Sequence, residues 1–311
     1  MKLAVPDLIS NSYFPAAAAV ELGFFREEGL DVALELIFPV DAAYRALKEG
    51  KIDLVGGAAH AALAAFPEFA GVKLLCAQAQ GMYWFLVMRA DLTPRRGDLS
   101  VVHGRRIGAA PWVEMGVRRL LAEAGIDLER DRVTVMPVPG ASGSTTNFGL
   151  NAARALEEGS IDGFWANGMG AEIALRRGVG AVVLDVRRGD GPQAAFNYTM
   201  SAIAASDRLI DGSPEAAAAA VRAIVRTQRA LKEDVGRATE VGRRLFPPEA
   251  AALIADIVRR DLPYYDASIS RDFVAGMKRF CRDIGILQGD PSYEEIVATR
   301  FSEYWQSAGG S

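Results

Sequence analysis

Up to about residue 206, short unbroken apolar runs alternate with longer stretches in which apolar residues return every third or fourth position. The first pattern is that of a strand buried on both faces, the second that of a helix with one apolar stripe. Strands are predicted at 2–5, 32–37, 54–57 and 72–77, and again at 106–110, 133–138 and 163–166. Two denser apolar runs, 83–88 and 198–205, fit neither series and read as strands that link the two groups. Beyond residue 206 the helical period takes over. Ser213-Pro214-Glu215 has the capping residue, first-turn proline and first-turn acid of a helix start, and an alanine-rich run follows to Leu231. Further helices are predicted from about 248 to 260, 270 to 284 and 293 to 307.

The two groups of strands repeat one plan. Residues 46–53 (Ala-Leu-Lys-Glu-Gly-Lys-Ile-Asp) and 155–162 (Ala-Leu-Glu-Glu-Gly-Ser-Ile-Asp) agree at six of eight positions. Each copy ends a helix at a glycine, Gly50 or Gly159, and then enters a strand. Upstream, Glu28-Gly29-Leu30-Asp31 and Ala124-Gly125-Ile126-Asp127 are a second matching pair, and the strands at 2–5 and 106–110 are a third. Three pairs in one order predict an α/β fold of two Rossmann-like lobes, each a parallel sheet covered by helices. The two lobes are joined by two crossover strands, and the C-terminal helices pack on the first lobe. The expected division is residues 1–90 with 200–311 as lobe I, which holds both termini, and 91–199 as lobe II.

Composition narrows the function. Lys and Arg total 35 against 39 Asp and Glu, a net charge of −4, which argues against a nucleic-acid partner held by phosphate neutralisation. No apolar run reaches the roughly 20 residues of a membrane helix, so no membrane insertion is expected. Cys76 and Cys281 are too few for a disulfide framework, and both are expected as buried free thiols. With His60 and His103 as the only histidines, no metal centre and no cofactor are expected. A Walker A sequence and a Gly-x-Ser-x-Gly elbow are missing, Gly140-Ala141-Ser142-Gly143-Ser144 lacking the last glycine. Met1 runs almost directly into a strand, with no apolar leader or cleavage site before it. As written the chain is expected in the cytoplasm, and in the periplasm if a leader has been removed.

In open parallel sheets ligands bind beyond the carboxyl ends of the strands. Those loops carry Ser10, Asn11, Ser12 and Tyr13 after the first strand, then Ala59 and His60, then Tyr83 and Trp84 at the first crossover. In the second half they carry Trp112, the segment with Ser142, Ser144 and Thr145, then Trp165 and Asn167, and Asn197 before the return crossover. These are the expected ligand-binding residues; none is assigned a catalytic role. Trp112 and Trp165 are expected against a ligand, Trp84 in the core among its apolar neighbours. Residues 142–146 precede a helix, where free N–H groups either accept an anionic substituent or are capped by the hydroxyls. His60 reads equally as a ligand contact or as a structural histidine.

The segment from Tyr13 to Val32, with Gly23-Phe24-Phe25 and Glu28-Gly29-Leu30-Asp31-Val32, resembles the opening of the NMT1/THI5-like (SsuA-like) solute-binding proteins. Ala46 to Gly57 resembles that family's next segment. The resemblance implies a type II periplasmic-binding-protein fold, a hinged cleft and a small organic ligand. It also implies an ABC permease as partner to a monomer. Members bind sulfonates, nitrate, taurine or pyrimidine precursors, and some relatives are enzymes. The His- and Cys-rich iron motif of the pyrimidine-synthase relatives is not reproduced by Cys76, His60 and His103. Two functions follow: binding of an aromatic or heterocyclic molecule that can carry a carboxylate, or a cytosolic decarboxylase or lyase with His60 as general acid/base.

Overall fold

Gly50 and Gly159, which end the repeated octapeptides, both have φ 70°, and Gly29 and Gly125, which end the upstream pair, have φ 80° and 82°. This left-handed backbone closes a helix without a Cβ clash and turns the chain into the next strand. The computed structural model describes residues 1–141 and 147–306. Its strands are β1 (Lys2–Val5), β2 (Ala33–Leu36), β3 (Leu54–Ala58), β4 (Val72–Ala79) and β5 (Phe85–Arg89), then β6 (Arg106–Ala109), β7 (Thr134–Met136), β8 (Gly163–Ala166), β9 (Gly180–Asp185) and β10 (Ser201–Ser206). They form two five-stranded sheets, ordered β2-β1-β3-β10-β4 and β7-β6-β8-β5-β9.

The two orders are the same pattern. In each sheet a parallel trio, β2-β1-β3 or β7-β6-β8, is followed by one antiparallel strand lent by the other half of the chain. β5 lies between β8 and β9, and β10 between β3 and β4. The chain therefore leaves the first sheet after Ala79 and enters the second at Phe85, so the apolar run 83–88 contributes to the second sheet. Close approach of β5 needs a glycine opposite it. A Cβ at Gly163 would sit 2.3 Å from Met88 Sδ and 2.8 Å from the Val87 carbonyl oxygen.

Helices α1 (Phe14–Glu21), α2 (Phe24–Glu27) and α3 (Val40–Lys48) accompany the first sheet, and α4 (Glu114–Glu123), α5 (Phe148–Glu157) and α6 (Gly168–Arg176) the second. The C-terminal part is helical, with α7 (Asp207–Gly212), α8 (Pro214–Glu233), α9 (Arg237–Leu245), α10 (Pro248–Asp261), α11 (Arg271–Asp283) and α12 (Tyr293–Ile296). α8 lies along α1, α2 and β4 of the first half, as expected of the tail. α10 also reaches α6 of the second half. The helix predicted from 293 to 307 stops at Ile296. Val297 leaves the helix to form a parallel bridge with Leu74, and its neighbour Ala298 donates its N–H to the Leu74 carbonyl at 2.9 Å. Covering the open edge of β4 outweighs one more helical turn there. A short 3₁₀ segment, Thr299–Tyr304, completes the described chain, and Trp305 Nε1 donates to the Leu75 carbonyl at 2.9 Å. Cys76 and Cys281 are buried free thiols.

Candidate functional site

β1 and β2 of the first sheet, and β6 and β8 of the second, end toward one another, and a cavity of about 40 Å³ lies between the loops that follow them. From the first sheet it is lined by Pro6, Asp7, Ser12, Tyr13, Phe38 and Val40. From the second it is lined by Ala110, Pro111, Val113, Phe148, Ala166 and Asn167, with Trp84 of the first crossover beside them. Its position follows from strand direction: parallel strands present their carboxyl ends, and the loops that follow, to one side. The wall is mostly aromatic and aliphatic. Phe38 and Phe148 stack across the two halves, with centroids 6.3 Å apart and planes at 21°.

Four expected residues reach this cavity: Ser12, Tyr13, Trp84 and Asn167. The Tyr13 and Tyr83 hydroxyls share a hydrogen bond of 3.1 Å, which places Tyr83 directly behind the wall. Ser10 Oγ accepts the Ser12 N–H at 3.1 Å and so shapes the loop. Ser12 Oγ itself is buried without a hydrogen-bond partner. Asn11 lies behind the cavity, its Nδ2 donating to Asp261 at 2.6 Å and its Oδ1 accepting the Met169 N–H at 3.2 Å. Asn197 packs against Gly276 of α11, and the Ala59 N–H donates to the Met200 carbonyl, so neither lines the cavity. Ser142, Ser144 and Thr145 lie outside the described residues.

The tryptophans divide differently from the expectation. Trp84 lies in the core as expected, 3% exposed, and also lines the cavity. Trp165 is fully buried behind it, the two rings meeting edge to face with centroids 6.1 Å apart. Strand β8 carries Trp165 in a stretch buried throughout, so the indole fills the interior rather than the cleft. Trp112 does not line the cavity, but its backbone does shape the rim: at φ 69° it holds a left-handed turn that a bulky side chain rarely adopts.

His60 holds that turn in place. Its Nε2–H donates to the Trp112 carbonyl at 3.1 Å, leaving Nδ1 as a buried acceptor without a partner. Trp84, Trp112 and Phe280 surround the ring at 5.6 to 6.2 Å. Burial lowers the imidazole pKa to about 4, so the ring is neutral at pH 7. A neutral, enclosed histidine bonded to a backbone carbonyl fits a structural post better than a proton shuttle.

The charged residue of the site is one the loop-by-loop reading passed over. Asp7 follows β1 and Pro6 and is 5% exposed. It accepts the Ile9 N–H at 3.0 Å, and from the other half of the molecule the Asn167 amide at 3.2 Å. Burial raises its pKa to about 7, opposed by Ile9, by the Gly149 and Phe148 N–H groups at the start of α5, and by Asn167. Asn167 also caps α6, accepting the Met169 and Gly170 N–H groups at 3.0 and 3.2 Å. One side chain thus begins a helix and spans the cleft. At the rim, Glu114 of α4 is raised by burial and by Asp41 of α3, and its Oε2 has no partner. Among the described residues, no group of three or more His, Cys, Asp or Glu side chains is placed to hold a metal ion.

Residues 11–234 match the family model described as NMT1/THI5 like. No curated protein sequence matches the chain. Solved structures share its fold. A protein of Bordetella bronchiseptica RB50 superposes with a TM-score of 0.72 at 20% identity, over 99% of this chain and 94% of that one. The alkanesulfonate-binding protein SsuA from Xanthomonas axonopodis pv. citri, bound to MOPS, gives 0.70 at 14% identity, over 97% and 96%. The periplasmic nitrate-binding protein NrtA from Synechocystis PCC 6803 gives 0.70 at 14% identity, over 97% and 86%. These likenesses extend over both sheets and the helical tail.

Proposed function

The chain belongs to the NMT1/THI5-like family, and from that membership and its cleft we propose a solute-binding protein that closes two lobes on one small organic molecule. The observation that carries the reading is the cavity, whose wall is contributed by the strand ends of both sheets at once. Lobe I is the first sheet with the tail helices, lobe II the second sheet with α4 to α6, and the chain passes between them twice, between β4 and β5 and between β9 and β10. At about 40 Å³, where one water needs roughly 10–15 Å³, the cavity holds a few waters but not a drug-sized molecule. The lobes must therefore part for a ligand to enter, by hinge motion at the two crossovers. Trp84, Tyr13, Phe38 and Phe148 supply flat apolar walls, and Ser12, Asn167 and Asp7 supply the few polar groups that orient a ligand. The Xanthomonas and Synechocystis structures are of binding proteins, and an ABC permease is the corresponding partner here.

His60, enclosed and with its Nε2–H given to the Trp112 carbonyl, is occupied in holding that turn, which favours binding over a decarboxylase or lyase reaction. The test is a thermal-shift screen of small aromatic and heterocyclic compounds, followed by X-ray scattering with the tightest. Binding without turnover, together with a changed radius of gyration, is expected. Product formation from a tight ligand would replace binding with catalysis.

A further inference from the structure

Resting on the binding-protein reading, we infer that the ligand is an organic cation, an ammonium or amidinium group on a flat apolar body, with Asp7 as its counter-charge. Asp7 is the one carboxylic acid among the described residues that line the cavity, and Tyr13 the other titratable group, a phenol that burial keeps neutral. No lysine or arginine joins it there, and the undescribed segment 142–146 is Ser-Gly-Ser-Thr-Thr, without charge in its sequence. An anionic headgroup would thus sit beside a carboxyl with no lysine or arginine of the described lining to receive it, and Asp7 would have to stay protonated to admit it.

The aromatic lining agrees in sign. Trp84 and Tyr13 face the cavity, and aromatic faces attract cations, Trp most strongly. Ser12 Oγ is buried at the wall with no hydrogen-bond partner, a hydroxyl free to meet a polar atom of the ligand, whatever its charge. Close by, the acids Asp41 and Glu114 are offset by Arg45, which pairs with Asp41, and by Arg118, which faces Glu114, so they leave the charge of the site to Asp7. Arg187, a buried arginine, is outside the lining: it pairs with Asp261 at 3.3 Å and lies over the Tyr83 and Tyr264 rings, with its Nε unpartnered. A cavity of about 40 Å³ suits one small headgroup, with the body of the molecule admitted as the lobes part. The raised pKa of Asp7 has a direct reading here. An empty site holds a carboxyl that is partly protonated near neutral pH, and an arriving cation displaces that proton.

The experiment is calorimetry of the whole protein with matched sets on shared scaffolds. Benzylamine and benzamidine are compared with benzyl alcohol, benzoate and benzenesulfonate, and indole and pyridine bodies are treated alike. The expected result is that the cationic member of a set binds at least about tenfold tighter than its neutral or anionic partner. Binding at pH 6 should release a proton, seen by comparing buffers of different ionisation enthalpy, and binding at pH 8.5 should not. Asp7→Asn should erase the preference while the thermal transition shows a folded protein; if that variant fails to fold, proton release by the unaltered protein decides. Tighter binding of benzoate or benzenesulfonate overturns the charge assignment and leaves the binding-protein reading standing. Binding of no member of any set overturns both.

Discussion

Asp7 has an energetic consequence that does not depend on any ligand. Its carboxyl titrates near 7 in the folded chain and near 3.8 when exposed. Between those values the folded state holds more protons than the unfolded one, so this residue makes stability fall as pH rises from about 4 to about 7. Asp7→Asn should therefore stabilise the ligand-free protein by about 2–4 kcal/mol at pH 8, with the gain shrinking toward zero by pH 4. Urea unfolding at both pH values measures it, and an equal effect at pH 4 and 8 would count against a raised Asp7. The tryptophans allow a second residue-scale test. Trp165→Phe should lower stability by about 1–3 kcal/mol with little loss of ligand affinity, because the indole is enclosed behind the wall. Trp84→Phe should weaken binding by about tenfold or more, because that ring lines the cavity. Equal losses of affinity in the two variants would mean that Trp165 also meets the ligand. The sequence showed Ser12, Tyr13 and Asn167 as residues of strand-end loops, because loop position can be read from the strand pattern. It could not rank Trp84 above Trp165. Both lie near the ends of apolar runs, and which side of its own sheet an indole faces depends on packing by the other half of the chain. Asp7 escaped because one acid after Val5-Pro6 looks like a solvated turn until α5, far along the chain, is placed over it.

At the scale of elements, the repeat made six of the ten strands and their order legible. Local signals sufficed: a glycine that ends a helix, then a short apolar run. The seam between β3 and β4 was less legible, since β10 comes from more than a hundred residues away and its pairing leaves no local mark. The end of the chain was misread for a related reason. The stretch 293–307 has a helical pattern, yet Val297 and Ala298 are drawn into an extended conformation by the open edge of β4. Removing residues 292–311 should uncover that edge. It takes away Ile296, Val297 and Phe301, which are almost fully buried, as well as the bond from Trp305 to Leu75. A protein ending at residue 291 should melt several degrees lower and associate on warming. Calorimetry and light scattering would show this, and an unchanged melting temperature would mean that the edge needs no cover.

In the whole molecule, the tail also fastens the two halves from outside the cleft. Arg260 of α10 pairs with Glu172 of α6 at 2.7 Å, Arg177 with Glu249 at 2.9 Å, and Arg119 of α4 with Asp283 of α11 at 2.7 Å. These pairs are partly exposed, so each contributes at most about 1 kcal/mol and is screened by salt. If the closed arrangement leans on them, raising salt from about 0.05 M to about 1 M should open the ligand-free protein. The radius of gyration from X-ray scattering would rise; a constant value would place closure in the cleft itself.

The exchange of β5 and β10 also bears on how the chain folds while it is being made. When synthesis has passed residue 195, all five strands of the second sheet exist, whereas the first still lacks β10, without which β4 has no neighbouring strand. The usual order, in which the N-terminal unit folds first as it leaves the ribosome, is thus reversed in this topology. The later-made sheet is complete first, and the segment emerging earliest waits for β10 to arrive. Nascent chains halted near residue 195 should accordingly yield a protease-resistant core beginning near Phe85, with the preceding residues digested, and protection of the earlier segment should appear only in chains extended beyond Ser206.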